Sequence, residues 1–509
     1  MTINVRQCSI FIVCLGIALL PIMSTTTLPL YDYPNHLARM HVLANWETSK
    51  LLQQFYVVDW RSIPNLAMDL IVPSLSLIIG LEAAGKAYIA LTFLAIAGGV
   101  ALVHHSFHGH WSAYSLIAFI FLYNGSLIYG FMNYLFSVGI FLVVFASWVR
   151  LSDWSWSRRL VLFSASSIVL FYAHLYGLGL YGVTVVLYEA SKSWSALRKG
   201  ERFLTRDWIA TLGQFVLPFL LFICISPTSE AASQTSWDNL INIWHYYGKV
   251  WLVSNLFDNY HEHFDWLCVG MLAVAVVGGL AFRRITFSPH TLVPFLGLSF
   301  AYILMPKTFF SSWAADEKCT IALALFFISV TTFRPRRPII DKLFAVGFAG
   351  MFLVRIGIVA DTWHSYDEIY KGYRTAISQL PEGARLTAAI AYRGRARLVM
   401  RPPLNHLGNL IVIERDGFYP TIFAFTSQQP IRLKPPYDEL VTRYRDVRFR
   451  NEELSSDSLS RRRNPFAPDL LRQFDYILIV RETLFDVALP SSLIPIYVGA
   501  DFTLYRING

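Results

Sequence analysis

Residues 334–360 read Arg334-Pro-Arg-Arg-Pro338-Ile-Ile340-Asp-Lys-Leu-Phe-Ala-Val-Gly-Phe-Ala-Gly350-Met-Phe-Leu-Val-Arg-Ile-Gly-Ile-Val-Ala360. A basic, proline-containing turn opens the stretch. A run of about 20 mostly apolar residues follows, the length a helix needs to cross a hydrocarbon core roughly 30 Å thick. Beyond Ala360 the character changes: charged residues become frequent and apolar runs shorten. The stretch therefore reads as the last membrane span of a helical protein, joined to a soluble tail.

The rest of the chain supports this. It is 509 residues long, 55% apolar and 15% charged, where soluble domains carry roughly a quarter charged residues. Further apolar runs occupy 8–23, 66–81, 87–104, 112–126, 131–149, 159–174, 177–191, 208–226, 266–282, 289–305 and 318–333. Helices suit them because each satisfies its own backbone hydrogen bonds in lipid. The expected fold is a polytopic α-helical membrane protein of about 11–13 transmembrane helices, with a C-terminal extracytoplasmic α/β domain. Residues 1–359 form the membrane module, with a first outer loop over 24–65, and 360–509 form the soluble domain.

The net charge of +9 does not point to nucleic acid. Its basic residues sit in short clusters between apolar runs: Arg158-Arg159, Arg198-Lys199 with Arg202 and Arg206, Arg283-Arg284, and Arg334 with Arg336-Arg337. Such clusters mark cytoplasmic loops. The span after Arg337 then carries the tail outside. The same rule puts 227–265 and 304–317 outside, and 150–159 and 192–207 inside. The expected location is the cytoplasmic (inner) membrane. Twelve spans with Arg6 inside would return the tail to the inside, so one segment between 66 and 149 is expected to be broken, re-entrant or miscounted. The run after Arg6 lacks a small-x-small cleavage site and reads as an uncleaved span. The five cysteines lie in or beside apolar segments, with none in the last 150 residues. They define no disulfide framework.

In the tail, Ser365–Leu380 reads as an amphipathic helix and Pro381-Glu-Gly383 as a turn. Arg385–Ala391, Asn409–Glu414, Tyr476–Val480 and Phe502–Arg506 read as strands. Asn451–Asn464 is charged and Ser-rich, and reads as a loop.

The richest polar segment outside the tail is Leu30-Tyr-Asp32-Tyr-Pro34-Asn-His36-Leu-Ala-Arg39-Met-His41. Pro34 fits a helix start. Asp32 just before it is favoured by the helix dipole. His36 and Arg39 share one face, while Leu37, Met40 and Ala44 share another. The pattern predicts an interfacial helix with an apolar underside and a polar top. It gathers a carboxylate, an imidazole and a guanidinium at the depth where a membrane-anchored sugar phosphate presents its reactive carbon. A carboxylate there can take a proton from an attacking hydroxyl. A guanidinium can bind the phosphate leaving group. On residue types alone the plainer reading comes first: Asp32 and Pro34 start a helix, and Arg39 snorkels to headgroups.

An Asp right after the first span, an amphipathic helix behind it, many spans and an outer α/β tail together resemble the GT-C superfamily. These are polytopic glycosyltransferases that use lipid-linked sugars. The specific part of the resemblance is Tyr31-Asp-Tyr-Pro-Asn-His-Leu-Ala-Arg39, with Ala315-Asp-Glu-Lys318 at the outer start of a late span as a second similar feature. The resemblance implies that Asp32 matches the catalytic carboxylate, deprotonating the acceptor and inverting the anomeric configuration. Its implied partners are a polyprenyl-phosphate-linked sugar donor, a glycan, lipid or protein acceptor, and the bilayer. The double-acidic pair of many members is absent from the first loop, where Asp32 stands alone with Asp59 and Asp69 as distant candidates. No metal ligand is therefore assigned, and a divalent cation stays open. Asp316, Glu317 and Lys318 join His36 and Arg39 as candidate substrate contacts, Lys318 for phosphate or equally as a snorkelling residue.

Three further residues carry two readings each. Asp69, in an apolar run, is a substrate contact or a membrane-edge charge. His174 is a contact or a satisfied turn histidine. Asn133 bonds a neighbouring helix or a ligand. The His104/His105/His108/His110 and His261/His263 groups lack the H-E-x-x-H spacing and read as interfacial histidines. No Walker loop, dinucleotide fingerprint or G-x-S-x-G elbow appears. The alternative to a transferase is a non-enzymatic transporter or flippase of envelope lipids or glycans. Internal repeats and mid-span charges would mark one, and no convincing repeat is found. A scaffold for other envelope proteins is a third reading. Convergence of Asp32, Arg39 and Lys318 on one cavity would favour the transferase.

Overall fold

A computed structural model describes residues 5–230, 243–310, 312–334, 338–392, 403–444, 448–450, 466–481 and 489–508. The chain forms two compact units. A helical unit comprises 1–20, 61–68 and 88–359; a mixed unit comprises 21–60, 69–87 and 360–509. The first loop thus belongs to the same unit as the tail.

Six helices among the described residues are long and apolar enough to cross a membrane: Gln7–Ser24, Leu81–His108, Met132–Arg150, Asp207–Cys224, Glu262–Ala281 and Lys342–Ile377. Apolar helices of 13 residues, Ala67–Ile79 and Leu292–Leu304, add to them, and the outer faces carry exposed Leu77, Val161 and Val274. The protein is a multi-pass helical membrane protein with a small sheet region in its tail.

The run expected as a span over 112–126 is broken. Ala113–Phe121 is a 3₁₀ helix, and a separate short α-helix, Gly125–Tyr129, follows after Asn124 accepts a bond from the Leu127 N–H. This is the kind of interruption the charge count required. The opposite holds at the end of the module. The span over 340–359 and the helix over 365–380 are one helix, Pro338–Ile377. Nothing between Ala360 and Ser365 breaks it, since the linking residues include no Gly or Pro.

Within the helical unit, Leu81–His108 and Met132–Arg150 approach closely. A Cβ on Gly99 would lie 2.8 Å from Leu142 Cβ, and one on Gly139 would lie 2.7 Å from Ala95 Cβ. Small residues are what such a crossing needs. Asn133 satisfies its whole amide here. Its Oδ1 accepts from the Met68 N–H (2.9 Å) and Tyr88 hydroxyl (2.8 Å), and its Nδ2 donates to Asn65. The helix-bonding reading of Asn133 fits these contacts.

The mixed unit holds a five-stranded sheet in the order Leu493–Val498, Phe502–Ile507, Tyr476–Arg481, Leu386–Tyr392, Arg448–Arg450. The first two pairings are antiparallel and the last two parallel. Three of the four expected tail strands are present. The fourth is corrected: Leu410–Arg415 is an α-helix, led in by a 3₁₀ turn over Pro403–Asn409. A short buried apolar run looks the same in either state. Residues 451–464 fall outside the described part. The core of this unit packs Tyr370, Tyr373, Leu386, Leu410, Phe418 and Leu478 with Ala38 and Val42 of the first loop.

Candidate active site

The first-loop helix runs Tyr33–Asn45, with Asp32 at its N-cap and Pro34 in its first turn. The cap position is as expected, but the carboxylate makes no capping hydrogen bond. It faces His406 instead, whose Nε2 stands 3.3 Å from Asp32 Oδ1. The plain helix-start reading therefore does not account for this side chain.

The helix is not an interfacial one with a solvated polar top. Asn35, Arg39 and the apolar residues Leu37, Ala38, Met40 and Val42 are all buried. Arg39 does not snorkel. It is 1% exposed, and its Nε and Nη2 donate to Asp69 at 2.6 and 3.2 Å. Asp69 is likewise buried, so the two ionisable residues solve each other's burial. Taking either away would leave an uncompensated charge. Arg39 Nη1 is buried with no hydrogen-bond partner. His36 packs edge-on against Phe423.

His406 was not singled out in the sequence. It lies in the 3₁₀ turn Pro403–Asn409 with φ −107°, ψ 16°, the sparsely populated bridge region where active-site residues often sit. The turn packs tightly: a Cβ on Gly408 would fall 2.3 Å from the Tyr419 ring. Asn35 fixes the ring's state. Its Oδ1 accepts from the Phe423 N–H (2.7 Å), and its Nδ2 donates to Thr421 O (2.8 Å). That amide nitrogen also lies 3.2 Å from His406 Nδ1, with Asn409 Nδ2 at 3.4 Å. An amide N–H₂ faces an acceptor, so Nδ1 carries no proton and Nε2 does. That nitrogen stands 3.3 Å from Asp32 Oδ1, an approach without a hydrogen bond. One signal for it did exist: Asn-His-Leu occurs at both 35–37 and 405–407.

Farther along the same helix lies a second carboxylate–imidazole pair. His41 Nε2 is 2.7 Å from Asp416 Oδ1, and Ser49 Oγ donates to Asp416 Oδ2 at 2.7 Å. Asn45 Nδ2 lies 3.3 Å from His41 Nδ1. Burial works to raise the Asp416 carboxyl, but the bonds from His41 and Ser49 outweigh it and hold the group below its ordinary range.

The other predicted residues belong to the helical unit. Asp316, Glu317 and Lys318 open the helix Ala315–Val330 and are all buried. Lys318 is 4% exposed, so it does not snorkel either. Its ammonium donates to Ser312 Oγ (2.8 Å) and Trp313 O (2.9 Å) and sits 4.2 Å from the Phe131 ring centroid. Asp316 pairs with Lys249 at 2.7 Å, and Glu317 accepts from Asn255 at 3.4 Å. His174 caps the helix Leu175–Leu197 by accepting the Tyr176 N–H at 3.1 Å, which is the satisfied-turn role. Arg355, within the stretch that decides the fold, is a further buried cation. It donates to Tyr123 O (2.6 Å), Phe257 O (3.0 Å) and Asp265 (3.2 Å). Beside it, in the loop before Glu262, burial and the neighbouring Asp265 and Glu317 raise Asp258 to about 8.

The helical unit also carries a half-open apolar cavity of about 1020 Å³, lined among others by Ile117, Phe121, Leu272, Phe295, Phe327 and Phe348. That exceeds the upper end of ordinary small-molecule pockets, about 1,000 Å³. No set of three or more His, Cys, Asp or Glu among the described residues is arranged to hold a metal ion.

The structure superposes on the crystal structure of ArnT from Cupriavidus metallidurans bound to undecaprenyl phosphate, covering 99% of this chain and 98% of that one, with a TM-score of 0.51 and 9% identity. The chain has the ArnT fold. The polytopic helical fold with a small sheet region in its tail, expected from the first loop and the span layout, is thus the fold found. The likeness to ArnT lies in the course of the whole chain and not in the sequence. No protein-family model matches the sequence, and no curated protein matches it.

Proposed function

We propose that the protein is a membrane glycosyltransferase that moves a sugar from a polyprenyl-phosphate donor to an extracytoplasmic acceptor, with Asp32 as general base. The observation that carries this reading is the Asp32 carboxylate. It occupies a helix N-cap without capping, and the His406 imidazole approaches one of its oxygens. The ArnT fold and the apolar cavity support a lipid-linked substrate, because an isoprenoid chain needs a large apolar lining.

In the reaction, Asp32 Oδ2 takes the proton of an acceptor hydroxyl. The hydroxyl oxygen forms a bond to the anomeric carbon from the face opposite the phosphate. The bond from that carbon to the phosphate oxygen breaks, and polyprenyl phosphate leaves with the electron pair. The product has inverted configuration. Within the helical unit, Lys318 is the candidate phosphate contact, its ammonium held in place by Ser312 and Trp313. Asp316, Glu317 and His36 act as supporting contacts in their own units. No step requires a divalent cation.

The test is transfer of labelled sugar from a polyprenyl-phosphate donor in vesicles containing the full-length protein. Asp32→Asn is expected to lower the rate by about 10²- to 10⁴-fold, the range for losing a general base. Unchanged transfer by Asp32→Asn at normal protein levels removes the mechanism.

A further inference from the structure

We infer that His406 is a positioning residue for Asp32: held as a neutral Nε2–H tautomer by Asn35, it fixes one carboxylate oxygen and presents the other to the acceptor. The inference rests on the proposed function and deepens it.

Three features carry it. The first is the fixed amide. Asn35 cannot turn over without losing both its bond from the Phe423 N–H and its bond to Thr421 O. Its N–H₂ therefore stays toward His406 Nδ1, and Asn409 repeats the contact from the other side. The second is the ring's setting. Phe423 and Tyr31 pack edge-on against it with centroids 5.4 Å away in each case, so rotation that would exchange the two nitrogens is blocked. The third is the 3.3 Å approach of Nε2 to Asp32 Oδ1. That is loose for a charge-assisted bond, as catalytic contacts often are before substrate binds. At that distance the two groups are close but not yet joined by a hydrogen bond.

The surrounding charges do not compete. The titratable groups of the neighbouring elements are Tyr31, Asp32, Tyr33, His36, Arg39 and His41 of the first loop, Tyr370, whose hydroxyl donates to Pro403 O, and Glu414, Arg415, Asp416 and Tyr419 beyond the turn. Arg39 is committed to Asp69 and His41 to Asp416. Among the described residues, Asp32 is the carboxylate that stands within ion-pair reach of the His406 ring.

A neutral donor has two consequences for a base. It favours the charged carboxylate. It also leaves the pair one proton short of saturation, so the second oxygen can accept one.

The experiment uses full-length protein in vesicles, with kcat, KM for the polyprenyl-phosphate donor, the pH–kcat profile and a thermal melt for each variant. His406→Phe keeps the ring's packing and removes the donor. It is expected to lower kcat about 10- to 100-fold with KM little changed, and to move the acidic limb of the profile to higher pH. His406→Gln places an amide N–H near the Nε2 position and is expected to recover most of kcat. Asn35→Asp keeps an acceptor for the Phe423 N–H but sets an oxygen against Nδ1. This draws the proton away from Nε2, and the same shift of the acidic limb is expected. If His406→Phe or, should that variant melt early, Asn35→Asp retains the wild-type kcat and profile while Asp32→Asn is inactive, the positioning role is wrong and the proposed function stands. If Asp32→Asn is itself active, both fall.

Discussion

The mixed unit contains the same arrangement twice, in opposite senses. In one, the first-loop helix contributes the carboxylate, Asp32, and the segment after Pro403 contributes the imidazole, His406. In the other, the helix contributes the imidazole, His41, and the end of that segment contributes the carboxylate, Asp416. Each ring faces an asparagine amide at Nδ1, from Asn35 or Asn45. The difference lies in what remains. Asp416 has both oxygens engaged, by His41 and Ser49, each at 2.7 Å. Asp32 is approached at 3.3 Å on one oxygen, and among the described residues no donor is placed on the other. A saturated pair holds structure; a pair with an oxygen left over can accept a proton.

The largest expected effect tests the helix that both pairs share. Arg39→Met leaves Asp69 buried without its partner and is expected to cost about 3–5 kcal/mol, read as a fall in melting temperature. Arg39→Met with Asp69→Leu should recover most of it. A fall below about 1 kcal/mol would mean that the buried pair does not anchor the helix, and that neither carboxylate–imidazole pair depends on it.

Next comes the other unit. Lys318→Met removes the cation while retaining a side chain that can fill the site. It is expected to reduce kcat/KM for the polyprenyl-phosphate donor by about 10- to 100-fold, as lost charge-assisted phosphate contacts do. Wild-type kinetics would withdraw the phosphate assignment and leave Asp32 untouched.

Smaller effects separate the two pairs. Asp416→Asn is expected to lower stability by about 1–2 kcal/mol at neutral pH, with transfer within about threefold of wild type. The sign with pH follows from the depressed folded value. The stabilisation is complete above the ordinary carboxylate value of 3.8 and is lost as pH falls through the lower folded one. Acid melts of wild type and Asp416→Asn should therefore converge in that window, and parallel curves would contradict the assignment. Smallest is Ser49→Ala, about 0.5–1.5 kcal/mol. It releases one Asp416 oxygen and makes that pair resemble the one at Asp32, without conferring transfer activity on it.

Much of this was legible beforehand. Hydropathy located the spans and the tail, because lipid leaves a helix few alternatives. A broken segment is one of three readings that the charge count leaves between 66 and 149, and Ala113–Tyr129 is interrupted at Asn124. Asp32 could be selected because an acid next to Pro34 is conspicuous after an apolar run. What the sequence hid was long-range. His406 lies 371 positions from Asn35, and the helix around Leu410 was read as a strand, which placed its neighbours on the wrong kind of element. Read alone, Arg39 is a phosphate contact or a snorkelling residue, and Asp69 a substrate contact or a membrane-edge acid. Their burial makes sense only as a pair.

The central claim is that Asp32 is chemically committed and Asp416 structurally committed. The most direct measurement takes Asp32→Asn and Asp416→Asn side by side in the same vesicles, recording sugar transfer and melting temperature for each. The account predicts that Asp32→Asn melts near the wild type and transfers sugar about 10²- to 10⁴-fold more slowly, while Asp416→Asn melts earlier and still transfers. Wild-type transfer by Asp32→Asn, or its loss in Asp416→Asn at an unchanged melting temperature, would contradict it.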